Sequence, residues 1–314
     1  MRLYLAGQFE PFINWYSAIA NYVTDTKLVP TALESFYYCY ETASEKHVKS
    51  FIENYNKSEC QWIMDSGVFT MMFGRDKDKD HTYSSIKHYT ERYIGFLKSF
   101  NYRDYVVEMD VHKILGMQSV YKLRELLEKH FDPNQIIFVW HTEEGYDGLI
   151  KLAQEKPYIA LGLPELRKEA KRIRQPVKSV VRRLLGLIKD NTDKYPRVHL
   201  LGCTEPTIMA NPYYATCDSS SWLGGIRYNQ VLIHNNGMLR KGSMYSKVYR
   251  EYLERITPKI MRGVEIYTER NPHIANVVDK VINKPRTLNA LVGAITFTQL
   301  QNHINERYYA GQVC

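Results

Sequence analysis

The chain has 314 residues, 44% of them hydrophobic and 24% charged, with a formal net charge of +8. This composition is that of a globular protein, and the length allows one large domain of barrel size or two ordinary domains. The sequence contains no run of eighteen apolar residues, so we expect no membrane span and no membrane partner. The N-terminus lacks the apolar core and cleavage site of a signal peptide, which predicts a cytoplasmic protein.

Charge and cysteine content narrow the class of protein further. Residues 1–164 carry a net charge of −4 and residues 165–314 carry +12, which indicates a polyanionic partner such as nucleic acid, or else a solvated basic surface. The five cysteines are scattered and form no CxxC pair, so we expect reduced thiols, no metal and no cofactor. They are Cys39, Cys60, Cys203, Cys217 and Cys314.

Strand-like runs and helical patterns alternate from the start of the chain. The predicted strands are Arg2–Ala6, Glu34–Cys39, Gln61–Met64, Tyr105–Met109, Gln135–Trp140, Tyr158–Leu161, Arg197–Leu201 and Tyr214–Cys217. The predicted helices are Phe12–Tyr22, Glu45–Tyr55, Tyr83–Phe100, Ser119–His130, Glu143–Gln154, Pro176–Asp190 and Glu205–Ala210. Eight strands alternating with helices predict an α/β fold, a (β/α)8 TIM barrel. An open doubly wound sheet is the alternative, but no glycine-rich phosphate loop follows the first strand.

The pattern changes after Trp222. The elements predicted there are a β-hairpin of Gln230–His234 and Met238–Lys241 with an Asn-Gly turn, and helices at Ser246–Ile256 and Leu288–Tyr309. The last helix is amphipathic and is expected to close the barrel. We therefore predict a barrel core over residues 1–222 and a basic C-terminal appendage over residues 223–314, packed on the barrel.

In a parallel barrel, working side chains lie where the strands end. The predicted strand ends carry three acids, two histidines and a Gly-Leu pair, namely Asp65, Asp110, His112, His141, Gly162, Leu163 and Asp218. Two carboxylates facing each other across a barrel mouth suit chemistry at an anomeric carbon, one as nucleophile and the other as acid and base. A third acid suits recognition of a base edge with two N–H donors, as in guanine.

A metal site is a rival interpretation of the same strand ends. Asp110, His112 and His141 could supply a His/carboxylate site, but their spacing carries no specific metal signature. The alternation in VVEMDVH also predicts that Glu108, Asp110 and His112 lie on one face of their strand.

Several short motifs, in the right order, resemble those of one enzyme family. Residues 65–70, DSGVFT, are similar to its DSGGFQ motif, residues 159–163, IALGL, to its ALGGL segment, and residues 198–202, VHLLG, to its HYLMG strand. Asp110 lies on a strand like the one that carries the family's base-reading aspartate. Residues 216–219, TCDS, fall where the FDCVLPTR segment places the nucleophile. The family comprises the tRNA-guanine transglycosylases and their DNA-acting relatives, the 7-deazaguanine transglycosylases of phages and bacteria, and the resemblance covers roughly residues 60–240.

The resemblance implies base exchange by double displacement. Asp218 would attack C1′ of a guanosine. Asp65 would move protons as guanine leaves and a 7-deazaguanine base, such as 7-cyano-7-deazaguanine, attacks. Asp110 would hold N1 and the amine of the base, and the backbone of Gly162 and Leu163 its carbonyl edge. The other implied substrate contacts are Ser66, Phe69, His112 and His141.

Departures from the family concern the base pocket and the polymer. Thr70 and His141 stand where glutamine is usual, and residues 219–222, SSSW, replace a Val-Leu-Pro-Thr-Arg run. The family's Cys/His zinc site beside the RNA-binding surface is absent from the sequence. We therefore expect DNA as the favoured substrate, with tRNA as the alternative, in a bacterial cell or a phage-infected host. The sequence leaves a homodimer open.

The basic half supplies the predicted contacts to the polymer. One cluster consists of Arg167, Lys168, Lys171, Arg172 and Arg174. The other follows Asp218, so we expect it close to the reactive end of the barrel, and consists of Arg227, Arg240, Lys241 and Lys247. Tyr213 and Tyr214 are candidates for stacking on bases at the rim.

Two other classes of function fit the same residues. A barrel glycosidase or hydrolase would use the two carboxylates to release a free base or sugar. A catalytically inactive module would bind nucleic acid without exchanging bases.

Overall fold

A closed barrel of eight parallel strands forms the centre of this chain, as seen in a computed structural model. The structure describes residues 1–7, 13–73, 81–203, 205–272, 275–276, 282 and 284–308. The barrel strands are β1 (Arg2–Ala6), β2 (Thr31–Ser35), β3 (Gln61–Asp65), β4 (Tyr105–Val107), β5 (Ile136–Trp140), β6 (Tyr158–Gly162), β7 (Arg197–Leu201) and β8 (Thr216–Ser219). Each strand pairs with its successor in the sequence, and β8 pairs with β1. The predicted (β/α)8 TIM barrel is therefore confirmed.

Helices follow the strands and return the chain to the start of the next strand, which keeps the strands parallel. They are α1 (Ile13–Thr24), α2 (Glu45–Lys57), α3 (Val68–Phe73), α4 (Tyr83–Ser99), α5 (His112–Glu128), α6 (Gly145–Glu155), α7 (Leu163–Ile173), α8 (Val177–Asp190), α9 (Pro206–Met209), α10 (Gly224–Tyr228), α11 (Lys247–Arg270) and α12 (Pro285–Tyr308). A π-helix spans Tyr37–Glu41, and 3-10 helices span Thr142–Glu144 and Ser221–Leu223. In the part of the chain that the structure describes, no helix has both the length and the apolar character needed to cross a membrane.

The strands are buried on both faces because helices cover the outside and side chains fill the inside. The inner layer consists of Tyr4, Ala6, Leu33, Ile63, Val107, Ile137, Val139, Tyr158 and Ala160. Neighbouring strand residues such as Leu3, Trp62 and Phe138 face the helices and belong to the main core. Buried free thiols are found at Cys39, Cys60, Cys203 and Cys217, whereas Cys314 lies outside the described residues.

The second strand lies earlier in the chain than predicted. It covers Thr31–Ser35 rather than Glu34–Cys39, and the aromatic run that follows forms the π-helix. The ring of Phe36 stacks on Tyr40 and meets Tyr89 of α4 edge-on. Packing against α4 therefore outweighs the β propensity of these aromatic residues.

The strand β8 begins at Thr216, after the two tyrosines that precede it. The intervening Ala215 pairs with Arg2 and with Val198, which lie at the N-terminal ends of β1 and β7. The C-terminal ends of β1–β8 form the opposite rim, called the mouth below. The interpretation of Tyr213 and Tyr214 as base-stacking residues at the mouth is therefore wrong.

The sequence patterns miss two helical segments at the mouth. The helix α7 begins directly at the end of β6, with Pro164 in its first turn, where proline is well tolerated. The helix α5 begins at His112, before the predicted start at Ser119, and bends at Gly116, whose φ is 71°. Both segments bring additional polar side chains to the mouth.

The C-terminal region packs on the barrel. The predicted hairpin is confirmed as β9 (Gln230–Asn235) and β10 (Met238–Ser243), and Asn236 and Gly237 have the positive φ values of 48° and 79° that such a turn requires. The helices α11 and α12 both pack against α1. The side chain of Gln301 on α12 accepts from the N–H of Leu3 at 3.1 Å. The domain boundary after residue 222 stays a prediction.

Candidate active site

Two carboxylates point into the mouth from β3 and β8. Asp65 is the last residue of β3, and Asp218 lies within β8 rather than after it. Each follows by two positions a residue whose side chain faces the barrel axis, Ile63 in β3 and Thr216 in β8. Since side chains alternate along a strand, both acids turn inward.

Asp218 is buried and is held through one oxygen. Its Oδ1 accepts from Nε2 of His199 at 3.1 Å and from the backbone N–H of Gly202 at 2.8 Å. Gly202 follows β7 with a φ of 69°, a conformation that glycine adopts without the steric cost paid by other residues. Among the described residues, both hydrogen bonds to Asp218 end on Oδ1, so Oδ2 is the oxygen available for reaction.

Asp65 has a different environment. Its Oδ1 accepts from the backbone N–H of Gly67 at 2.6 Å. Burial raises the pKa of Asp65 to about 6; the Gly67 hydrogen bond opposes this, and the charges of Asp218 and Asp110 add to it. The mutual influence of these charges places the three acids in one electrostatic site. A carboxyl group with this pKa changes protonation near neutral pH, as an acid/base catalyst must.

Asp110, His112 and His141 form a compact group in the same site. The Oδ1 atom of Asp110 lies 2.7 Å from Nδ1 of His112 and 3.6 Å from Nδ1 of His141. The two imidazole rings stack, with centroids 3.9 Å apart and 28° between their planes. The structure thus brings together three residues that the sequence predicts to bind substrate.

The pKa values of the two histidines are shifted in opposite directions. The Nε2 atom of His112 lies 3.7 Å from Oε2 of Glu143 and 3.7 Å from Oε1 of Glu165. Burial disfavours the charged ring, but the carboxylates of Asp110 and Glu165 outweigh it and raise the pKa of His112 to about 9. Burial lowers the pKa of His141 to about 4, although Asp110 opposes this.

The remaining predicted base contacts differ in whether a ligand can reach them. Gly162 ends β6 and Leu163 begins α7, so both lie at the mouth. Phe69 lies on α3, which follows Asp65, and its side chain is 47% exposed. Ser66 is buried, and its hydroxyl donates to the backbone oxygen of Glu108 at 3.2 Å. Ser66 therefore supports the strand ends, whereas the other three residues can reach a ligand.

The prediction that Glu108 shares a face with Asp110 and His112 is wrong. The strand β4 ends at Val107, so the alternation stops before it reaches these residues. The Glu108 carboxylate accepts from Nε and Nη2 of Arg124 on α5, at 2.7 and 2.8 Å. This buried ion pair joins the strand end to its helix and takes Glu108 away from the mouth.

Arg227 and Lys247 are two of the predicted nucleic-acid contacts. A β-carbon placed on Gly7, directly after β1, would lie 3.1 Å from Nη2 of Arg227. The Arg227 guanidinium therefore lies at the mouth. Lys247 begins α11, is 83% exposed, and has its Nζ 3.7 Å from Oε1 of Glu251.

Arg240 and Lys241 are exposed on β10, in a hairpin that follows α12 away from the mouth. The hairpin turn at Gly237 lies against the ring of His303, because a β-carbon there would be 2.4 Å from Nε2 of that ring. Two residues earlier, Gln301 bonds to the backbone at the start of β1, on the opposite rim. The hairpin turn therefore lies towards the opposite rim, while the expectation that Arg240 and Lys241 lie close to the reactive end stays a prediction.

The basic cluster of residues 167–174 is partly neutralised by acids. Nζ of Lys168 donates to Oε1 of Glu143 at 2.6 Å. Arg172 binds both carboxylate oxygens of Glu169 through Nε and Nη2, each at 2.6 Å. Two of the five cations in this cluster, Lys168 and Arg172, are therefore paired with acids within or beside α7.

The predicted site lacks two residues that the structure places there, His199 and Glu165. A signal for His199 exists, since the alternation in RVHLL puts it on the same face as Arg197 and Leu201. Glu165 has no such signal, because it lies in α7, which the sequence patterns miss.

Comparisons with known proteins give no family assignment: no family model matches the chain, and no curated protein matches it significantly. The geometry of the mouth therefore carries the functional argument.

Proposed function

We propose that this protein exchanges guanine in a nucleic acid for a 7-deazaguanine base through a covalent glycosyl-enzyme intermediate. The observation that supports this is the pair of carboxylates Asp65 and Asp218 at the mouth, each in its own environment. His199 and Gly202 orient Asp218, as a nucleophile requires. Asp65 can exchange a proton near neutral pH, as the departure and return of a base require. Neighbouring carboxylates in contrasting environments are typical of a division between nucleophile and acid/base.

The exchange takes two displacements. Oδ2 of Asp218 attacks C1′, the electron pair of the C1′–N9 bond moves to guanine, and guanine takes a proton from Asp65. The incoming 7-deazaguanine then gives its N9 proton to Asp65, attacks C1′ and expels the Asp218 carboxylate. Two inversions retain the configuration at C1′, and Asp65 ends protonated as it began, now with the proton from N9 of the incoming base.

DNA is the polymer that we favour. The Arg227 guanidinium at the mouth and the net charge of +12 over residues 165–314 suit a phosphate backbone. Since Asp218 lies inside the barrel mouth, the target guanine must leave the base stack to reach it. The exposed ring of Phe69 offers a surface on which such a base can stack.

Incorporation of a labelled base tests the proposal. The full-length protein is incubated with labelled guanine or 7-cyano-7-deazaguanine and with single-stranded DNA, duplex DNA or tRNA. Label entering DNA supports the proposal, and label entering tRNA alone shifts the substrate to tRNA. Release of free base without incorporation identifies a hydrolase, and binding without either reaction identifies an inactive binding module; both outcomes contradict base exchange.

Binding to the polymer is measured separately from exchange. On duplex DNA, log affinity should fall with log salt by about 0.9 per phosphate neutralised. We expect Arg227→Gln to weaken binding to all sequences alike and to flatten that slope by about 1. Lys151→Gln, at an exposed position on α6, is the matched control and should leave the slope unchanged. Reversing Arg240 and Lys241 to glutamate tests the hairpin in the same assay.

A further inference from the structure

The group of Asp110, His112 and His141 has the composition and spacing of a metal site. One donor atom from each residue lies within 4.8 Å of the others. The carboxylate oxygen is 2.7 and 3.6 Å from the two Nδ1 atoms. Ligands bound to one ion at about 2.1 Å are roughly 3.0–3.6 Å apart at angles of roughly 90–120°. The Asp110–His112 pair therefore needs to open by only about 0.3 Å, and the Asp110–His141 separation already lies within this range.

The ring of His141 gives an independent indication of a ligand. The residue is 0% exposed, and neither Nδ1 nor Nε2 has a hydrogen-bond partner among the described residues. A buried polar ring without partners is costly, so such groups normally bind something. Nδ1 faces the Asp110 oxygen at 3.6 Å, too far for a hydrogen bond but the right separation for two ligands of one cation.

We propose that Asp110, His112 and His141 bind one divalent transition-metal ion, for which Zn²⁺ is the best match to two imidazoles and one carboxylate. His112 would bind through Nδ1. Its Nε2–H would then face Glu143 and Glu165, both 3.7 Å away, in the outer-shell arrangement that orients metal-bound histidines.

A second possible donor set is less suitable. It uses Nε2 of His112 with the carboxylates of Glu143 and Glu165. Lys113 lies 3.2 Å from Oε1 of Glu165, and Lys168 donates to Glu143 at 2.6 Å. These carboxylates already have cationic partners, whereas no lysine or arginine among the described residues forms a salt bridge with Asp110.

The site would remain open on one side. The side chain of Asp110 is 32% exposed, so further coordination positions face the mouth, where a water or an acceptor atom of the substrate can bind. The inference goes beyond the proposed base exchange, and it assigns Asp110 to a cation instead of a guanine edge. It also replaces the expectation of a metal-free protein, which depended on the scattered cysteines and on the sequence spacing of Asp110, His112 and His141.

Metal titration of the full chain tests this inference. The purified protein is analysed for bound metals, stripped with a chelator, and titrated calorimetrically with ZnCl2 and spectroscopically with CoCl2. We expect one ion per chain and Co²⁺ absorption bands without a thiolate charge-transfer band. His141→Asn and Asp110→Asn should each weaken binding by more than about 100-fold. His88→Gln, at an exposed position on α4, is the matched control and should bind as the wild type does.

Three results would overturn the inference: no stoichiometric binding to folded protein, unchanged affinity in both variants, or a thiolate band that assigns the ion to cysteine. Circular dichroism and thermal melting verify that each variant is folded. If His141→Asn does not fold, the metal affinity of Asp110→Asn tests the inference, because Asp110 is partly exposed and its substitution disturbs the core less. The base-exchange assay is scored separately, so loss of exchange with metal binding retained counts against the proposed function and not against the metal site.

Discussion

The Nε2 atom of His199 lies 3.1 Å from Oδ1 of Asp218 inside the closed barrel. Nδ1 of the same ring lies 2.7 Å from Oγ1 of Thr216, and that hydroxyl contacts the hydroxyl of Tyr158. A carboxylate only accepts hydrogen bonds, so a neutral ring in this position carries its proton on Nε2 and accepts from Thr216 at Nδ1. Thr216 in turn accepts from Tyr158. A buried chain of hydrogen bonds with a defined direction therefore orients Asp218.

From these hydrogen bonds we expect substitutions at Asp218 and at His199 to lower the rate of base exchange by different amounts. Asp218→Ala removes the nucleophile and should lower exchange by roughly four orders of magnitude or more, with no labelled glycosyl-enzyme. His199→Phe keeps the nucleophile but removes a hydrogen bond to a charged group. That bond contributes roughly 1.5–3 kcal/mol, so exchange should fall by about 10- to 100-fold. The rates come from single-turnover incorporation of labelled base.

The control for both variants is Asp193→Asn, an exposed aspartate in the loop before β7. It should exchange bases at the wild-type rate. Near-normal turnover in Asp218→Ala would remove Asp218 as the nucleophile, and a loss in His199→Phe as large as that in Asp218→Ala would give the histidine a chemical role of its own.

We expect substitution of Asp65 to increase the stability of the protein and to abolish its activity. Its pKa is raised to about 6 in the folded protein, against 3.8 for a free aspartate. Between these values the folded state binds more protons than the unfolded state, so the free energy of unfolding falls as pH rises from about 4 to 6. Asp65→Asn removes this effect and should stabilise the protein at pH 7.5 by on the order of 1–3 kcal/mol while abolishing exchange. Melting curves at pH 4 and pH 7.5 test this, because the gain should vanish at pH 4.

The buried carboxyl group of Glu34, which lies away from the mouth, is also expected to make the stability of the protein depend on pH. It is 4% exposed on β2, and its Oε1 has no hydrogen-bond partner among the described residues. Burial raises its pKa to about 8, against 4.5 for a free glutamate, and a backbone hydrogen bond from Ser35 opposes this. Stability should therefore fall as pH rises through the window from 4.5 to about 8.

Glu34→Gln should remove that loss. We expect a higher melting temperature than the wild type at pH 8.5 and no difference at pH 4.5, with a gain on the order of 3 kcal/mol at pH 7. Glu53→Gln, at an exposed position on α2, controls for the change of charge. Parallel melting curves for Glu34→Gln and the wild type across this range would show that Glu34 does not titrate as its burial requires.

The barrel was predictable because its strands are short apolar runs buried on both faces, and the runs of β1, β3 and β7 stand out from their polar flanks. The helix α7 was not, because Leu163–Ile173 is rich in charge and follows β6 without a loop that would mark its start. The π-helix was missed because its aromatic residues favour strands until packing against α4 decides otherwise.

The site was predictable only in part, for a related reason. Asp65 follows an apolar run directly, so local sequence marks it as a strand-end acid. The bond between His199 and Asp218 depends on the register of β7 and β8, in which His199 lies opposite Thr216. No local pattern encodes that register. The same holds for the stacking of His112 on His141, which joins residues from two different strand ends.

We expect alanine at Gly293 and alanine at Gly186 to change the stability of the protein in opposite directions. Both lie within helices, Gly293 in α12 and Gly186 in α8. A β-carbon at Gly293 would lie 2.0 Å from the backbone oxygen of Trp222, whereas a β-carbon at Gly186 would have no atom within 4 Å. Trp222 is fixed in turn, because its Nε1 donates to the backbone oxygen of Ala6 at 2.8 Å. The helix α12 can therefore approach the mouth end of β8 and β1 only with glycine at this position.

We expect Gly293→Ala to destabilise the protein by about 1–3 kcal/mol, the usual cost of overpacking, because backbone must move to relieve the contact. Gly186→Ala should stabilise it by about 0.5–1 kcal/mol, because alanine loses less conformational entropy in a helix than glycine does. Urea denaturation followed by circular dichroism measures both differences. Equal stabilisation by the two substitutions would mean that α12 does not pack on Trp222, and would also contradict the assignment of α12 as the helix that closes the barrel.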